Sequence, residues 1–292
     1  MNGDPRVAVG VLVALTIAAD PALAGRHPQA PTFASRVDTV RVDVSVRQSG
    51  QAVQGLVAAD FEVLDNGVRQ RVDFAALDQM PVNVVLALDM SGSVRGVRLA
   101  QLRDAGARLV DMLGPAESAA VVAFTDLVTI RSRFTDDKPS LLAALQQPIE
   151  GTDTSLVDAT YAALVLGGSR TGRPLVIVFS DGADTASFLS ADLVLDTARR
   201  AGSVVYVVAS VRDGDNSFLD SLVQLTGGRR LEVASIERLS DAFAEILDES
   251  RERYLLSYTP TGVRPGGWHE IVVRVRGRRA DVHARPGYLA TP

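Results

Sequence analysis

A carboxylate and two hydroxyls stand at alternate positions in Asp89-Met90-Ser91-Gly92-Ser93. On a tight, glycine-containing turn these three side chains can converge on one point and present hard oxygen atoms. Such atoms are the donors that Mg²⁺ and Mn²⁺ prefer, in near-octahedral shells of about six ligands that usually include water. An ordinary Ser/Gly turn opening a helix would use the same residues. Two further segments carry matching chemistry: Thr154 in Gly151-Thr152-Asp153-Thr154-Ser155, and Asp181 in Phe179-Ser180-Asp181-Gly182. The combined set is two carboxylates and three hydroxyls. Two formal negative charges offset a dication, and neutral hydroxyls fill further positions without quenching its Lewis acidity. A coordination position left open would then favour an acidic group from outside.

These residues need strands that deliver them to one place. Val84–Leu88 is a continuous apolar run rich in β-branched residues, the pattern of a strand buried on both faces. Asp89 ends it. Leu175–Phe179 is a second such run, with Asp181 just beyond. Thr154 lies in a loop opening a helix. In an open α/β sheet, ligands sit outside the carboxyl ends of the strands near the topological switch point, so the three loops can face one another at one end of the sheet.

The surrounding pattern fits that sheet. After Asp89, helices and strands alternate. Leu99, Leu102, Ala105, Leu109 and Met112 recur at helical spacing, and Gly114-Pro115 ends that helix. Ala119–Phe124 reads as a buried strand and Val128–Phe134 as a more polar edge strand. Helices are expected over Leu141–Leu145, Leu156–Leu166, Leu193–Arg200 and Phe218–Leu225, with strands at Val204–Val208 and Leu231–Val233. A last amphipathic helix runs from Ile236 to Arg251 with Ser235 as its N-cap. Buried strands alternating with helices predict a mostly parallel sheet covered on both faces.

The flanks differ in style. Val37–Val46 alternates apolar and polar, a strand with one wet face. Asn66-Gly67, between Phe61–Leu64 and Val68–Phe74, is a hairpin turn signal. From Tyr254 the helical pattern stops, and Tyr254–Tyr258, Glu270–Val275 and Asp281–Ala284 are short strands. Each flank alone would expose an apolar sheet face. The expectation is that 36–79 and 253–292 pair into one small β-sandwich, with the α/β unit of 80–252 inserted between them.

At the N-terminus, residues 1–24 read as a signal peptide: Arg6, an apolar stretch Val7–Ala19, and Ala22-Leu23-Ala24 before Gly25. Residues 25–35 read as a flexible leader. The expected location is exported, periplasmic or secreted, with no membrane span in the mature chain. The 292 residues contain no cysteine, which excludes disulfides, thiolate zinc sites and thiol nucleophiles within this sequence. A net charge of −5 gives no electrostatic basis for nucleic-acid binding.

Asp89-x-Ser91-x-Ser93, Thr154 and Asp181-Gly182 resemble the metal-ion-dependent adhesion site of von Willebrand factor type A domains. The resemblance spans about residues 80–252. It implies a Rossmann-like α/β fold that holds Mg²⁺ (or Mn²⁺) through Asp89, Ser91, Ser93, Thr154 and Asp181. Thr152 is a rival for the threonine position, and the family pattern favours Thr154. Asp60-Phe61-Glu62-Val63-Leu64-Asp65-Asn66-Gly67 and Arg285-Pro286-Gly287-Tyr288 look like the bacterial exported proteins of this class first catalogued in acidobacteria. The implied function is a non-enzymatic, adhesion-type module binding a carboxylate of an unidentified partner protein. The alternatives are a phosphatase-like metal-dependent hydrolase and a scaffold with a structural metal.

Other conspicuous residues are assigned no site. Asp184 is expected in solvent. Asp158 would favour the start of its helix electrostatically or hydrogen-bond the metal loop. His27, His269 and His283 lack metal spacing. Gly167-Gly168-Ser169-Arg170-Thr171-Gly172 is glycine-rich without the Gly-Lys-Ser/Thr ending of a P-loop. Trp268 is expected as a strand-edge core residue, and Asp213-Gly214-Asp215 as a solvated turn.

Overall fold

Eight consecutive buried residues make the central strand β6 (Val82–Asp89). Its alternate side chains enter two different cores. Val84, Leu86 and Leu88 pack into one cluster, and Val85 and Ala87 into another on the opposite face of the sheet. Two-sided burial is why the sequence is a continuous apolar run rather than an alternating one. The computed structural model describes residues 39–77, 80–180, 183–210 and 217–290. The segments read as signal peptide and leader, His27, the Asp213–Asp215 turn and Asp181 lie outside the described residues.

Among the described residues, five strands precede β6: β1 (Val40–Gln48), β2 (Gln51–Ala52), β3 (Phe61–Asp65), β4 (Val68–Gln70) and β5 (Phe74–Leu77). After β6 come α1 (Val97–Met112), β7 (Ser118–Phe124), β8 (Val128–Thr135), α2 (Lys138–Gln146), α3 (Leu156–Gly167) and β9 (Arg173–Ser180). They are followed by α4 (Ala191–Arg200), β10 (Val204–Ser210), α5 (Ser217–Thr226), β11 (Arg230–Val233) and α6 (Leu239–Arg251). The chain closes with β12 (Tyr254–Tyr258), β13 (Gly267–Val275), β14 (Asp281–Ala284) and β15 (Gly287–Ala290).

The central sheet has the order β11-β10-β9-β6-β7-β8. All its pairs are parallel except β7 with the edge strand β8. The chain leaves β6 toward β8 on one side, then returns to β9 and proceeds to β11 on the other. The order therefore reverses between β6 and β9, which makes that crevice the switch point. Residues from α1, α2 and α6 cover one face and those from α3, α4 and α5 the other.

The flanking segments form two antiparallel sheets. One has the order β14-β1-β12-β5, with β2 added beside β1; the other is β15-β13-β3-β4. Both sheets mix strands from the two ends of the chain: β1 pairs with β12, and β3 with β13. Their inner faces share one core, including Val42, Val44, Phe61, Tyr254, Leu256 and Ile271. Neither flank could bury this face alone, so the sandwich closes only once residues some 200 apart have met. The hairpin turn has Asn66 and Gly67 at φ 47° and 79°, the positive values that a two-residue turn requires.

Two local expectations are corrected, and one residue gains a partner. Ser235 makes no side-chain cap: residues Ile236–Arg238 form a 3₁₀ turn, and α6 begins at Leu239. Trp268 is 41% exposed rather than core. His269 has a partner that its spacing concealed. It is buried in the sandwich with Nδ1 2.7 Å from Asp65 Oδ1, and Tyr258 and Tyr288 donate to Asp65 Oδ2 at 2.8 and 3.0 Å.

Candidate metal centre

Asp89 is fully buried at the carboxyl end of β6. Its Oδ1 accepts the Ser91 amide at 3.0 Å, the local bond that turns the chain. Its Oδ2 accepts the Ser180 hydroxyl at 2.8 Å, from the end of neighbouring β9. Ser91 is buried, and its Oγ lies 3.2 Å from Ser93 Oγ, so both hydroxyls of the motif sit together. The turn is fixed from below by Met90 N to Phe124 O at 2.9 Å and closed by Val94 N to Ser91 O at 3.0 Å.

The threonine loop is bonded directly to this turn. Gly92 N donates to Thr152 O at 3.0 Å, and Arg95 Nη2 to Gly151 O at 2.9 Å. Ser155 N donates to Thr125 O at 2.7 Å, and Thr125 Oγ1 to Glu150 O at 2.8 Å, tying the loop to the end of β7. Gly151 has φ +118°, and a Cβ there would lie 1.8 Å from Asp126 Oδ1. Only glycine lets the loop approach so closely. Thr154 is 6% exposed, whereas its rival Thr152 and the intervening Asp153 are exposed.

Residues 184–189, beyond Asp181, are laced to the same loop. Thr154 N donates to Thr185 Oγ1 at 2.9 Å, while Thr185 N and Ala186 N donate to Thr154 O at 2.9 and 3.1 Å. Asp184 is exposed, as expected, and its Oδ1 also accepts Val157 N at 3.2 Å in the first turn of α3. Reciprocally, Asp158 accepts Phe188 N at 3.0 Å and Leu189 N at 2.9 Å. Two carboxylates thus clasp a helix start and a loop to each other. Asp158 bonds the strand-end loop, which is one of the two roles its position allowed.

The structure brings Asp89, Ser91, Ser93 and the Thr154 loop to the carboxyl end of the central sheet, with Ser180 beside Asp89. Sequence reasoning missed Ser180 and Thr185, which act through hydrogen bonds between distant loops. The described residues fit a hard dication. They supply a buried carboxylate and a cluster of hydroxyls, and among the described residues Thr154 Oγ1 has no hydrogen-bond partner. No group of three or more His, Cys, Asp or Glu suited to a metal occurs among the described residues. An all-oxygen set of this kind suits a divalent cation.

The model of the von Willebrand factor type A domain matches residues 83–245, more than half of the chain. The chain belongs to that family. Among solved structures, proximal thread matrix protein 1 from the mussel byssus is similar, with 16% identity, a TM-score of 0.53 and 72% of this chain covered. The same byssal protein with a zinc-occupied metal-ion-dependent adhesion site gives 18% identity and a TM-score of 0.53 over 63% of this chain. This chain spans about half the length of those byssal chains, 50% and 49%. A mutant of the PilB minor pilin from Streptococcus sanguinis is similar at 13% identity and a TM-score of 0.50, covering 61% of this chain and 63% of the pilin. At these identities the likeness is one of fold. No curated protein matches the chain. The matched residues take in nearly all of the central sheet and run into α6; the sandwich strands from β1 to β5 and from β12 to β15 lie outside them.

Proposed function

We propose that this chain is a non-enzymatic binding module. In this reading Asp89, Ser91, Ser93, Thr154 and Asp181 hold Mg²⁺ or Mn²⁺, directly or through water. Bound there, the cation supplies a Lewis-acidic position for a carboxylate oxygen of a partner protein. The observation that carries the reading is the Ser180–Asp89 bond at the switch point together with the Gly92–Thr152 bond. These two contacts tie the Asp89 turn to the Thr152 loop and to the strand end that precedes Asp181. The zinc-occupied site of the byssal protein supports it by analogy.

The chain's own residues shape what could dock. Phe188, Val97 and Leu127 are 91%, 73% and 67% exposed. They follow β9, the Asp89 motif and β7 respectively, all at the carboxyl end of the parallel strands. An acidic side chain flanked by apolar residues would meet both the cation and these side chains. Neither described histidine lies on the three loops, since His269 and His283 belong to β13 and β14. That leaves the site without the usual proton-transfer group of a hydrolase. The reading includes export, to the periplasm or beyond, on the strength of residues 1–24.

Isothermal titration of the metal-stripped chain with Mg²⁺ and Mn²⁺, followed by a glutamate-bearing peptide library, tests the reading. Peptide capture that requires the cation and disappears in Asp89→Ala supports it. Metal binding that raises Tm without peptide capture would favour a structural metal. Ester or phosphate turnover that vanishes in Asp89→Ala would favour a hydrolase.

A further inference from the structure

A cavity of about 480 Å³ lies at the opposite end of the central sheet from the Asp89 loops. It is lined by Val82, Leu175 and Val204, at or near the starts of β6, β9 and β10. Val82 and Asp89 are seven positions apart along β6, about 23 Å at the usual rise per residue. The glycine-rich turn 167–172 forms part of its wall, and Asn83 Nδ2 pins that turn by donating to Thr171 O at 3.0 Å. The metal-site reading gave this turn no task.

The lining is strongly basic. Arg41, Arg170, Arg173, Arg253 and Arg285 face one carboxylate, Asp43. Asp43 is already shared: Arg173 Nη2 lies 3.1 Å from its Oδ2, and Arg253 Nε bonds its Oδ1. Arg41, Arg170 and Arg285 have no carboxylate within ion-pair distance among the described residues. Arg285 makes one hydrogen bond, from Nη2 to Arg199 O at 2.6 Å. Its Nε is buried without a partner, and burial alone lowers its pKa. Ser203, 3% exposed on the same wall, has a buried hydroxyl without a partner. Burying such donors without acceptors is costly. A ligand bearing acceptors would recover that cost.

We infer that this cavity binds a small organic phosphate. Three arginines without carboxylates, on β1, on the glycine-rich turn and beside β14, call for more than one negative charge. Guanidinium forks match phosphate oxygens in pairs. The volume falls within the usual range for small-molecule sites, roughly 300–1,000 Å³, so there is room for an organic part. Met80, Val82 and Leu255 supply apolar wall for it. The phosphate could belong to a soluble ester or to a lipid headgroup. This site is independent of the metal-site reading.

The test uses the full chain in EDTA, so that no cation occupies the Asp89 loops. Phenyl phosphate is titrated calorimetrically, with benzoate as a singly charged control, and phosphatidylglycerol vesicles are co-sedimented in parallel. Saturable binding of phenyl phosphate, about tenfold tighter than benzoate, is expected on the strength of one extra charge-assisted contact. The double variant Arg41→Gln/Arg170→Gln alters exposed arginines and should weaken binding by about tenfold or more without moving Tm. Arg285→Gln should weaken it similarly, and Asp89→Ala should leave it unchanged. Vesicle binding that the double variant abolishes, without phenyl phosphate binding, would assign the phosphate to a headgroup. No saturation by either probe, or equal affinity in the double variant, overturns the inference.

Discussion

Ser45 of β1 donates a hydrogen bond to Glu249 Oε1 at 3.0 Å, so the last helix of the α/β unit is bonded directly to the flanking sandwich. Glu249 also accepts Tyr206 Oη at 2.8 Å and Arg229 Nε at 2.7 Å. Arg253, fully buried two residues beyond α6, donates to Tyr206 Oη at 3.0 Å and pairs with Asp43. Removing one member of such a buried network strands the others without compensation, at about 3–5 kcal/mol. Glu249→Ala should therefore lower the urea midpoint strongly. A loss below about 1 kcal/mol would mean that water replaces the network freely.

Acid should act through the same residues. Burial alone would raise the pKa of Glu249, but Arg229, Tyr206 and Arg253 outweigh it and hold the carboxyl below its ordinary 4.5. Asp43 is held below its ordinary 3.8, with Arg253 and Arg173 outweighing burial in the same way. The unfolded chain then binds more protons than the folded one as pH falls through these values. The stabilisation is complete above the ordinary values and disappears as pH falls through the lower, folded ones. Urea midpoints measured down a pH series should fall below pH 4.5, and Glu249→Gln should flatten that fall.

Three of the five tyrosines should resist ionisation. Tyr206 donates to Glu249, and Tyr258 and Tyr288 both donate to Asp65. Burial and these carboxylates raise all three pKa values, that of Tyr288 to about 12. An ultraviolet titration should show at most two phenolates per chain by pH ~11, against an ordinary tyrosine pKa of about 10. More than two, with the fold intact by circular dichroism, would contradict the burial of the Asp65 cluster.

Asp158 offers a test of the metal site that spares every proposed ligand. Its carboxylate holds Phe188 N and Leu189 N, and so the loop that follows Asp181. Asp158→Ala should weaken Mg²⁺ binding by about 10–100-fold, the usual cost of losing a group that orients ligands. Amide exchange at Phe188 and Leu189 should quicken in the same variant. Unchanged Mg²⁺ affinity would show that the loop needs no such support.

Asp89→Asn removes the negative charge at nearly constant volume. It should abolish Mg²⁺ binding, together with any rise of Tm caused by the cation. For the unaltered chain that rise corresponds to about 2.7 kcal/mol at a hundredfold excess over Kd. Equal Mg²⁺ affinity in both proteins would remove Asp89 from the site.

The central sheet was legible because two-sided burial writes long apolar runs such as Val84–Leu88 and Leu175–Phe179. The motif that follows Asp89 was legible because its oxygens are close in sequence. What could not be read were bonds between loops far apart. Asp184 looks like any exposed acid until Val157 N is found 3.2 Å away. His269 shows no metal spacing because its partner, Asp65, lies on a strand contributed by the other end of the chain. Ser235 misled for a different reason. A serine before an apolar periodic run is a good cap signal, yet a 3₁₀ turn intervened before α6.

Leu77 and Tyr254 are paired neighbours, so the chain enters and leaves the α/β unit through adjacent strands. Tension between the two ends of the sandwich is then carried by its strand pairs. Part of it also passes straight into the α/β unit through the side-chain bonds of β1, Ser45 with Glu249 and Asp43 with Arg173, so α6 and β9 share any load placed on the sandwich.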